Sequence, residues 1–551
     1  VYLLGRELVE RHAVERSELL EYPRCVLSEQ LVARLGCGVV SDASQFDAGH
    51  AGMVAKVEPY QLDRYLNWPS PAPSRQTPCV GPEEFRRAGH ELVDWVADYR
   101  LRVAGLPVRA QVAPGEVLSA LAPCPPEAPE PLAALIADLD RVIVPGLTHT
   151  QHPGNFAWFP SNASLSSVLG DIVAGGLGAL GLSWQSAPAL TELEQLVCDW
   201  ARQLCGLAAN WKGTITDGAS TACLVALLVA RERTTDGCQR RGGLQAETAP
   251  LTVYCSAEAH SSVTKAALLA GYGADNLRPV PVRRPGREMD VAALRALMAA
   301  DVAAGRRPAA VVATAGTTAT TAFDPLADIC QVADGHGAVV HVDAAMAGSA
   351  MLLPEYRGLF DGIEGASSLS WNPHKWLGSV LETSLFYVQD PGPLISVMAT
   401  DPSYLRSARD GSVVQYRDWG LPLGRRFRAL RLWSLLRLEG AEAIRTRLRR
   451  DLANAQRLAS LVDHAPDWRI VSPVRLQTLC VLHAPAGLEG PELDAHTLKW
   501  CEAVNASGAA HLTPAVVDER WTVRISIGSE TTEWADVEAL WGLVQRTAAS
   551  V

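Results

Sequence analysis

The chain has 551 residues, several times the usual domain size, so more than one core is expected. Its composition, 48% hydrophobic and 20% charged, is that of a globular protein and excludes a disordered or fibrous one. With a net charge of −11, nothing in it forms the basic stripe that phosphate neutralisation needs, which argues against nucleic acid as a partner. The basic runs Arg425-Arg-Phe-Arg428 and 445–450 are local and read as solvated faces or interface charges. Twelve cysteines are scattered from Cys25 to Cys501 without a CxxC pair or metal-type spacing, the pattern of reduced thiols in a cytoplasmic protein with no metal centre. The most apolar window, 165–182, contains Asp171 and many glycines and makes a poor membrane span. Arg6, Glu7, Glu10 and Arg11 make the N-terminus unlike a secretory signal, so no export and no membrane are expected.

Residues 1–80 are the least legible. The first residue is Val, the first methionine is Met53, and the Pro/Ser run 68–74 reads as an extended linker. We expect an appendage dispensable for chemistry, with a start assigned too far upstream as one explanation. From Gly81, Phe85, Leu92, Val96 and Tyr99 share one helical face, and Glu83 and Glu84 sit where the helix dipole favours acids. A Pro-rich link over 122–131 leads to a second helix with Leu132, Leu135, Ile136, Leu139 and Ile143 on one stripe, stopped at Pro145-Gly146. Two such helices are too small for a domain. Residues 81–165 are expected to form an arm that buries its apolar faces elsewhere, such as on a second subunit.

Over 166–432, short apolar segments at 251–255, 309–314, 338–342 and 385–388 alternate with helical stretches. This implies an α/β domain with a largely parallel sheet. The remainder, 433–551, follows helical sequence over 429–461 with segments at 469–471, 479–482 and 523–527 that suit antiparallel strands, a smaller α+β domain.

The chemistry-bearing residues gather around Asn372-Pro-His-Lys375. A buried lysine loses proton affinity and can form a Schiff base with a carbonyl, although a Lys between Trp371 and Trp376 also reads as a snorkelling surface residue. Asp343 ends an apolar strand, where ligands of open α/β sheets bind. It could pair with a pyridinium nitrogen or simply cap the next helix. Thr216-Asp-Gly-Ala-Ser-Thr221 leads into a helix over 222–231, and its small residues suit either a phosphate or an ordinary N-cap. His260, after the 251–255 strand, could stack on a flat ring or be structural. Ala313-Thr-Ala-Gly-Thr-Thr318 is another strand running into a small-residue turn, at a ligand or not.

Taken together and in order, with Asp343 and Lys375 32 residues apart, these features closely resemble the group II pyridoxal-phosphate-dependent amino-acid decarboxylases, specifically the aromatic-L-amino-acid decarboxylases. The resemblance covers about 81–551. It runs through Phe156-Ala-Trp-Phe-Pro160, Thr191-Glu-Leu-Glu194, Ala259-His-Ser-Ser262, His341-Val-Asp-Ala-Ala-Met-Ala-Gly348, Asn372-Pro-His-Lys-Trp376, Asp401-Pro-Ser-Tyr-Leu405 and Pro422-Leu-Gly-Arg-Arg-Phe-Arg428.

The resemblance implies fold type I: a mostly parallel, seven-stranded-type sheet in the large domain, a small α+β C-terminal domain and an N-terminal helical arm. It implies pyridoxal 5′-phosphate, carried by Lys375 as a Schiff base, with Asp343 on the pyridine nitrogen and His260 stacked on the ring. Ala219, Ser220 and Asn372 would hold the phosphate with His374 beside it, and Thr318 would line the cofactor site. Tyr404, in a polar loop over 401–413, would return the proton to Cα after CO2 leaves; relatives with Phe there tend toward aldehyde. The substrate pocket would comprise Thr150, Trp158, Phe159, Pro160, Leu180, Leu182 and Gly424. Thr150 and Leu182 replace aromatic bulk found in the animal enzyme, and glycine at position 424 accompanies indole substrates in plant relatives, so tryptophan is favoured over phenylalanine, tyrosine or dopa. The family is homodimeric with active sites at the interface. The arm would wrap the partner, and Leu180, Leu182 and the Tyr404 loop would serve the neighbouring site. Competing expectations are aldehyde synthesis, transamination or decarboxylation of an acidic amino acid on the same scaffold, or an inert relative. An acidic substrate needs a further cation, which the matched pocket positions do not supply.

Overall fold

The computed structural model describes residues 80–400, 403, 409 and 411–551. The expected appendage, up to residue 79, and Tyr404 lie outside the described residues. Helix α1 (Pro82–Arg102) carries Glu83 and Glu84 in its first turn and Arg100 and Arg102 in its last, the charge order a helix dipole favours, and buries none of its residues. Helix α2 (Leu132–Asp138) continues into a π-helical turn, Leu139–Ile143, where Val142 is buried. Helices α3 (Leu165–Leu177) and α4 (Pro188–Cys205) lead to the first sheet.

That sheet has seven strands: β1 (Lys212–Thr216), β2 (Leu251–Ser256), β3 (Leu277–Val280), β4 (Arg307–Thr314), β5 (Val339–Asp343), β6 (Ser368–Trp371) and β7 (Ser384–Val388), in the order β1-β7-β6-β5-β4-β2-β3. The pairs β3/β2, β2/β4, β4/β5 and β5/β6 are parallel. Helices α5 (Ala219–Thr235), α6 (Ser261–Leu269), α7 (Val291–Ala303) and α8 (Leu326–Asp334) supply the connections. With both faces covered, β2 and β5 are buried along their whole length, which is why they read as unbroken apolar runs. Strand β7 departs from the expected parallel arrangement and runs antiparallel to both β6 and β1. The connection from β6 to β7 contains no helix, whereas a parallel return usually crosses over through one.

The second sheet is antiparallel, in the order β10-β11-β9-β8, from β8 (Trp468–Ile470), β9 (Thr478–His483), β10 (Thr513–Val517) and β11 (Arg520–Ser526). It packs with α10 (Gly490–Ala506) and α11 (Trp534–Ser550) around Trp500, Val523, Ile525 and Trp541. Helix α9 (Ala429–Asp463) belongs to both cores. Leu432, Leu435, Ile444, Leu448 and Leu452 join the core of the first sheet, and Ala455, Leu458 and Val462 join that of the second. A division at 433 therefore falls inside a shared helix, which is interrupted at Gly440 (φ 78°, ψ 154°), a conformation suited to glycine.

Candidate active site

The parallel run β2, β4, β5, β6 places its C-terminal ends along one edge of the sheet, where an open α/β sheet binds ligands. The segments leaving that edge carry His260, Thr318, Asp343 and Lys375. Facing them, on the second sheet, are β10 and β11. Between lies a cavity of about 590 Å³ lined by Trp158, Phe159, Pro160, Glu258, His260, Thr318, His374, Lys375, Leu381, Thr513, Val516 and Arg524.

Lys375 is no surface snorkel. Trp371 and Trp376 on either side are fully buried, their indole N–H groups donating to Ser349 Oγ (3.0 Å) and Asp451 Oδ2 (2.9 Å). Lys375 Nζ lies 5.3 Å from the centroid of the Phe159 ring. Burial, above all, holds its pKa below the ordinary lysine value; Asp343 opposes this and Arg524 adds to it. Next to it, burial and the Lys375 charge push His374 down to about 4, so the imidazole is neutral, with Thr383 N donating to its Nδ1 at 3.1 Å.

Asp343 is the last residue of β5, 6% exposed, with Oδ1 accepting from Ala345 N at 3.0 Å. It forms no ion pair among the described residues. His260 is the N-cap of α6: its Nδ1 accepts from Ser262 N at 3.1 Å, which leaves the ring proton of the neutral form on Nε2. The residue is exposed, and its ring reaches the cavity, where it is partly desolvated. That desolvation, first, lowers its pKa, with Asp343 raising and Lys375 lowering it. Thr318 lines the same cavity, and the carbonyl of the adjoining Ala319 accepts from Arg524 Nε at 3.1 Å.

Beside the cavity, α5 begins at Ala219 after Gly218, with no side chain capping its first N–H groups. Asn372 Oδ1 accepts from Ser384 Oγ, and Ser384 is paired in register with Thr216, the residue from which the chain enters α5. Asn372 thus sits at the strand pair that feeds the Ala219-Ser220 helix start. Thr150, Leu180, Leu182 and Gly424 do not line the cavity of this chain. Thr150 accepts from Gln151 Nε2 at 3.2 Å, and the 180–182 segment joins Gly424's neighbour through Gly181 N and Arg425 O at 3.2 Å.

Arg524 is the residue that sequence reasoning missed. It is 3% exposed, its guanidinium lies 4.9 Å from the Phe159 centroid, and Nη2 has no hydrogen-bond partner among the described residues. Burial lowers its pKa, and no carboxylate pairs with it among the described residues. A desolvated cation facing a cavity with a spare donor is a receptor for an anion. The available signal was alternation: in Val523-Arg-Ile-Ser-Ile527, the aliphatic residues face one core and Arg524 the opposite side. Trp158 is the other marked residue, held at φ 52° while 51% exposed, with its N–H donating to Thr513 Oγ1 at 2.8 Å. A bulky residue in the left-handed region is uncommon and clusters at ligand sites.

These residues fit pyridoxal phosphate. Lys375 offers an amine whose charge burial disfavours, Asp343 a carboxylate with no cation of its own, and the α5 start uncapped N–H groups of the kind phosphates take. Comparison with known proteins agrees. The chain matches the pyridoxal-dependent decarboxylase conserved domain over residues 114–482. It is 36% identical to a phenylacetaldehyde synthase of a Rosa hybrid cultivar, covering 87% of this chain and 97% of that protein. It is also 36% identical to tyrosine decarboxylase 1 of Narcissus pseudonarcissus, covering 86% and 94%. The solved structure of Oryza sativa TDC with PLP and tryptamine superposes with a TM-score of 0.83 at 33% identity, covering 87% of this chain and 99% of that one. With the domain matched over most of its length and Lys375 and His260 lining one cavity, this chain belongs to the pyridoxal-dependent decarboxylases and is a carboxy-lyase that uses pyridoxal phosphate.

Proposed function

We propose that the chain decarboxylates an aromatic L-amino acid to the arylalkylamine and CO2, with tryptophan the favoured substrate. The observation that carries this reading is the wall of Trp158, Phe159 and Pro160 against the Lys375 amine, which offers an aromatic side chain flat apolar surface beside the reacting centre. The rice TDC with tryptamine and the narcissus tyrosine decarboxylase support the aromatic class. Gly424 and the lost bulk at Thr150 and Leu182 lean it toward indole.

When bound, pyridoxal phosphate supplies the electron sink that allows the Cα–carboxylate bond to break. In this reading Lys375 holds the cofactor and yields its place to the substrate amine. Asp343 would hold a proton on the ring nitrogen, and His260 would pack against the cofactor. Ala219, Ser220 and Asn372, with His374 beside them, hold the phosphate, and Thr318 borders the ring. Arg524 draws the amino-acid carboxylate into an otherwise apolar chamber. Tyr404 returns the proton to Cα, so Tyr404→Phe shifts the product from amine toward aldehyde, with O2 consumed as the oxidant and ammonia and peroxide released. An unchanged amine yield in that variant would remove Tyr404 from the mechanism.

Two observations favour second readings. The rose relative is an aldehyde synthase, and Arg524 is a cation that could take the distal carboxylate of an acidic amino acid. An assay of amine, aldehyde and peroxide across tryptophan, phenylalanine, tyrosine, dopa and glutamate decides among them. Amine from tryptophan above the others is the expected outcome, and amine from glutamate alone overturns the aromatic reading.

The same reading includes a homodimer with shared sites, in which Leu180, Leu182 and the Tyr404 loop serve the partner's pocket. The half-exposed side chains of Leu169, Ile172, Val173 and Leu177 on α3 support it. Full activity in a species that sediments as a monomer would contradict it. A cytoplasmic location is part of this proposal, supported by the free thiols of all nine described cysteines; no described helix is long and apolar enough to cross a membrane.

A further inference from the structure

The two walls of the Lys375 cavity come from different cores. One, with Glu258 and His260, leaves β2 of the first sheet; the other, with Thr513, Pro514, Ala515, Val516 and Arg524, is the β10–β11 hairpin of the second. Hydrogen bonds within either sheet do not fix the distance between them. Arg524 Nε ties the hairpin to Ala319 O, and one further buried side chain links it to the Glu258 wall. Arg287, in the connection between β3 and α7, is 5% exposed and sends Nη2 to Glu258 Oε1 and Nη1 to Asp518 Oδ1.

Asp518 is at the tip of the hairpin. Val517 pairs with Arg520, so the turn is the two residues Asp518 and Glu519, both left-handed at φ 53° and 62°. Two consecutive left-handed residues are the mark of a tight, twist-matched hairpin turn, and they present the Asp518 side chain in a defined direction. A second guanidinium, from the exposed Arg284, reaches the same Asp518 oxygen at 2.7 Å. On the other side, Glu258 lies two residues before His260, its backbone N–H fixed by Ser256 Oγ at 3.1 Å.

We propose that Arg287 is a positioning residue: by tying Glu258 to Asp518 it fastens the hairpin that carries Thr513 and Arg524 to the wall that carries His260, and so sets the width of the substrate chamber. A buried ion pair contributes little net stability compared with a well-packed apolar replacement, so its worth here is geometric. Loosening it lets the Arg524 wall withdraw. That weakens the binding of ground state and transition state alike, the pattern in which KM rises and kcat holds.

Asp518→Asn is the informative variant, because Arg287 keeps its Glu258 partner and no buried charge is left uncompensated. Its KM for the best amino-acid substrate should rise roughly fivefold, the scale of one ordinary hydrogen bond, with kcat within about twofold. Asp518→Glu, which restores the charge, should recover most of the loss. In the holoenzyme, amide hydrogen exchange over 513–524 should quicken in Asp518→Asn and stay unchanged in α11. Arg287→Lys should fall between the wild type and Asp518→Asn in both measurements. Unaltered exchange over the hairpin together with an unaltered KM overturns the proposal, as does a fall in kcat that Asp518→Glu does not restore. The kinetic arm rests on the aromatic decarboxylase reading. The exchange arm requires no turnover, and failure of that reading shows separately, as no amine from any aromatic amino acid with the wild-type chain.

Discussion

The sheet edge that carries Lys375 and the hairpin that faces it build one cavity by opposite routes. At the edge, each functional group sits within a few residues of a buried parallel strand: Asp343 ends β5, and Lys375 follows β6 by four residues. The backbone there is fixed by neighbours on both sides, and the side chains are positioned by local turns. In the hairpin, β11 is paired on both sides but its outer strand has no such shelter. Strand β10 is an edge strand that pairs only with β11, and it reaches the cavity through contacts with distant segments such as Trp158 N–Thr513 Oγ1 and Arg524 Nε–Ala319 O. The edge supplies reactive groups; the hairpin supplies shape and one charge. Chemistry is thereby separated from fit.

If that separation is right, substitutions on the two sides fail differently. The largest effect belongs to Lys375→Ala, which should abolish turnover by at least about a thousandfold and remove the long-wavelength absorbance of the lysine-bound cofactor, with borohydride no longer fixing cofactor to the chain. Asp343→Asn should follow, with kcat falling about a hundredfold or more while KM changes little, since a charge that acts on the reacting ring acts in the transition state. On the hairpin side, Arg524→Met should instead raise KM by about tenfold, in line with losing one charged hydrogen bond from a desolvated site. A collapse of kcat in Arg524→Met at unchanged KM would erase the distinction.

A smaller effect sharpens it through stability. His341 is buried inside β5, its Nδ1 2.9 Å from Ser368 Oγ and its Nε2 unpartnered among the described residues, and burial pushes its pKa from 6.5 down to about 4. A base depressed in the folded state must be neutral to stay buried. Its stabilising contribution is therefore present above pH 6.5 and is lost as pH falls toward 4. Thermal unfolding of His341→Gln should be less sensitive to pH across that window than the wild type. Equal sensitivity would show that the acid response originates elsewhere.

The legible parts of the molecule are those where local pattern and tertiary environment agree. Strands β2, β4 and β5 are covered on both faces, so their apolar runs identify them directly. Strands β1, β3 and β10 escaped notice because they are sheet edges with polar residues or a proline, Pro279 in β3 and Pro514 in β10, which an edge tolerates and a central strand takes only near its start or at a bulge. The direction of β7 goes with a connection that lacks a crossover helix rather than with its own residues. Arg524 was illegible for a sharper reason: alternation places it opposite the aliphatic face of β11, where a charged residue ordinarily meets water. Only the docking of the second sheet against Ala319 turns that outer face into an inner one.

The helix shared between the two cores has a further consequence. Arg450 and Asp451 on α9 lie near the handover, and Asp451 accepts the indole proton of Trp376, the residue after Lys375. Any loosening of the second core pulls on a helix whose upper turns pack under the first, and the strain arrives one residue from the reactive amine. The chain from Arg86 to Val551 should therefore melt in a single cooperative transition, and fragments divided within α9 should neither fold apart nor reassociate into an active whole.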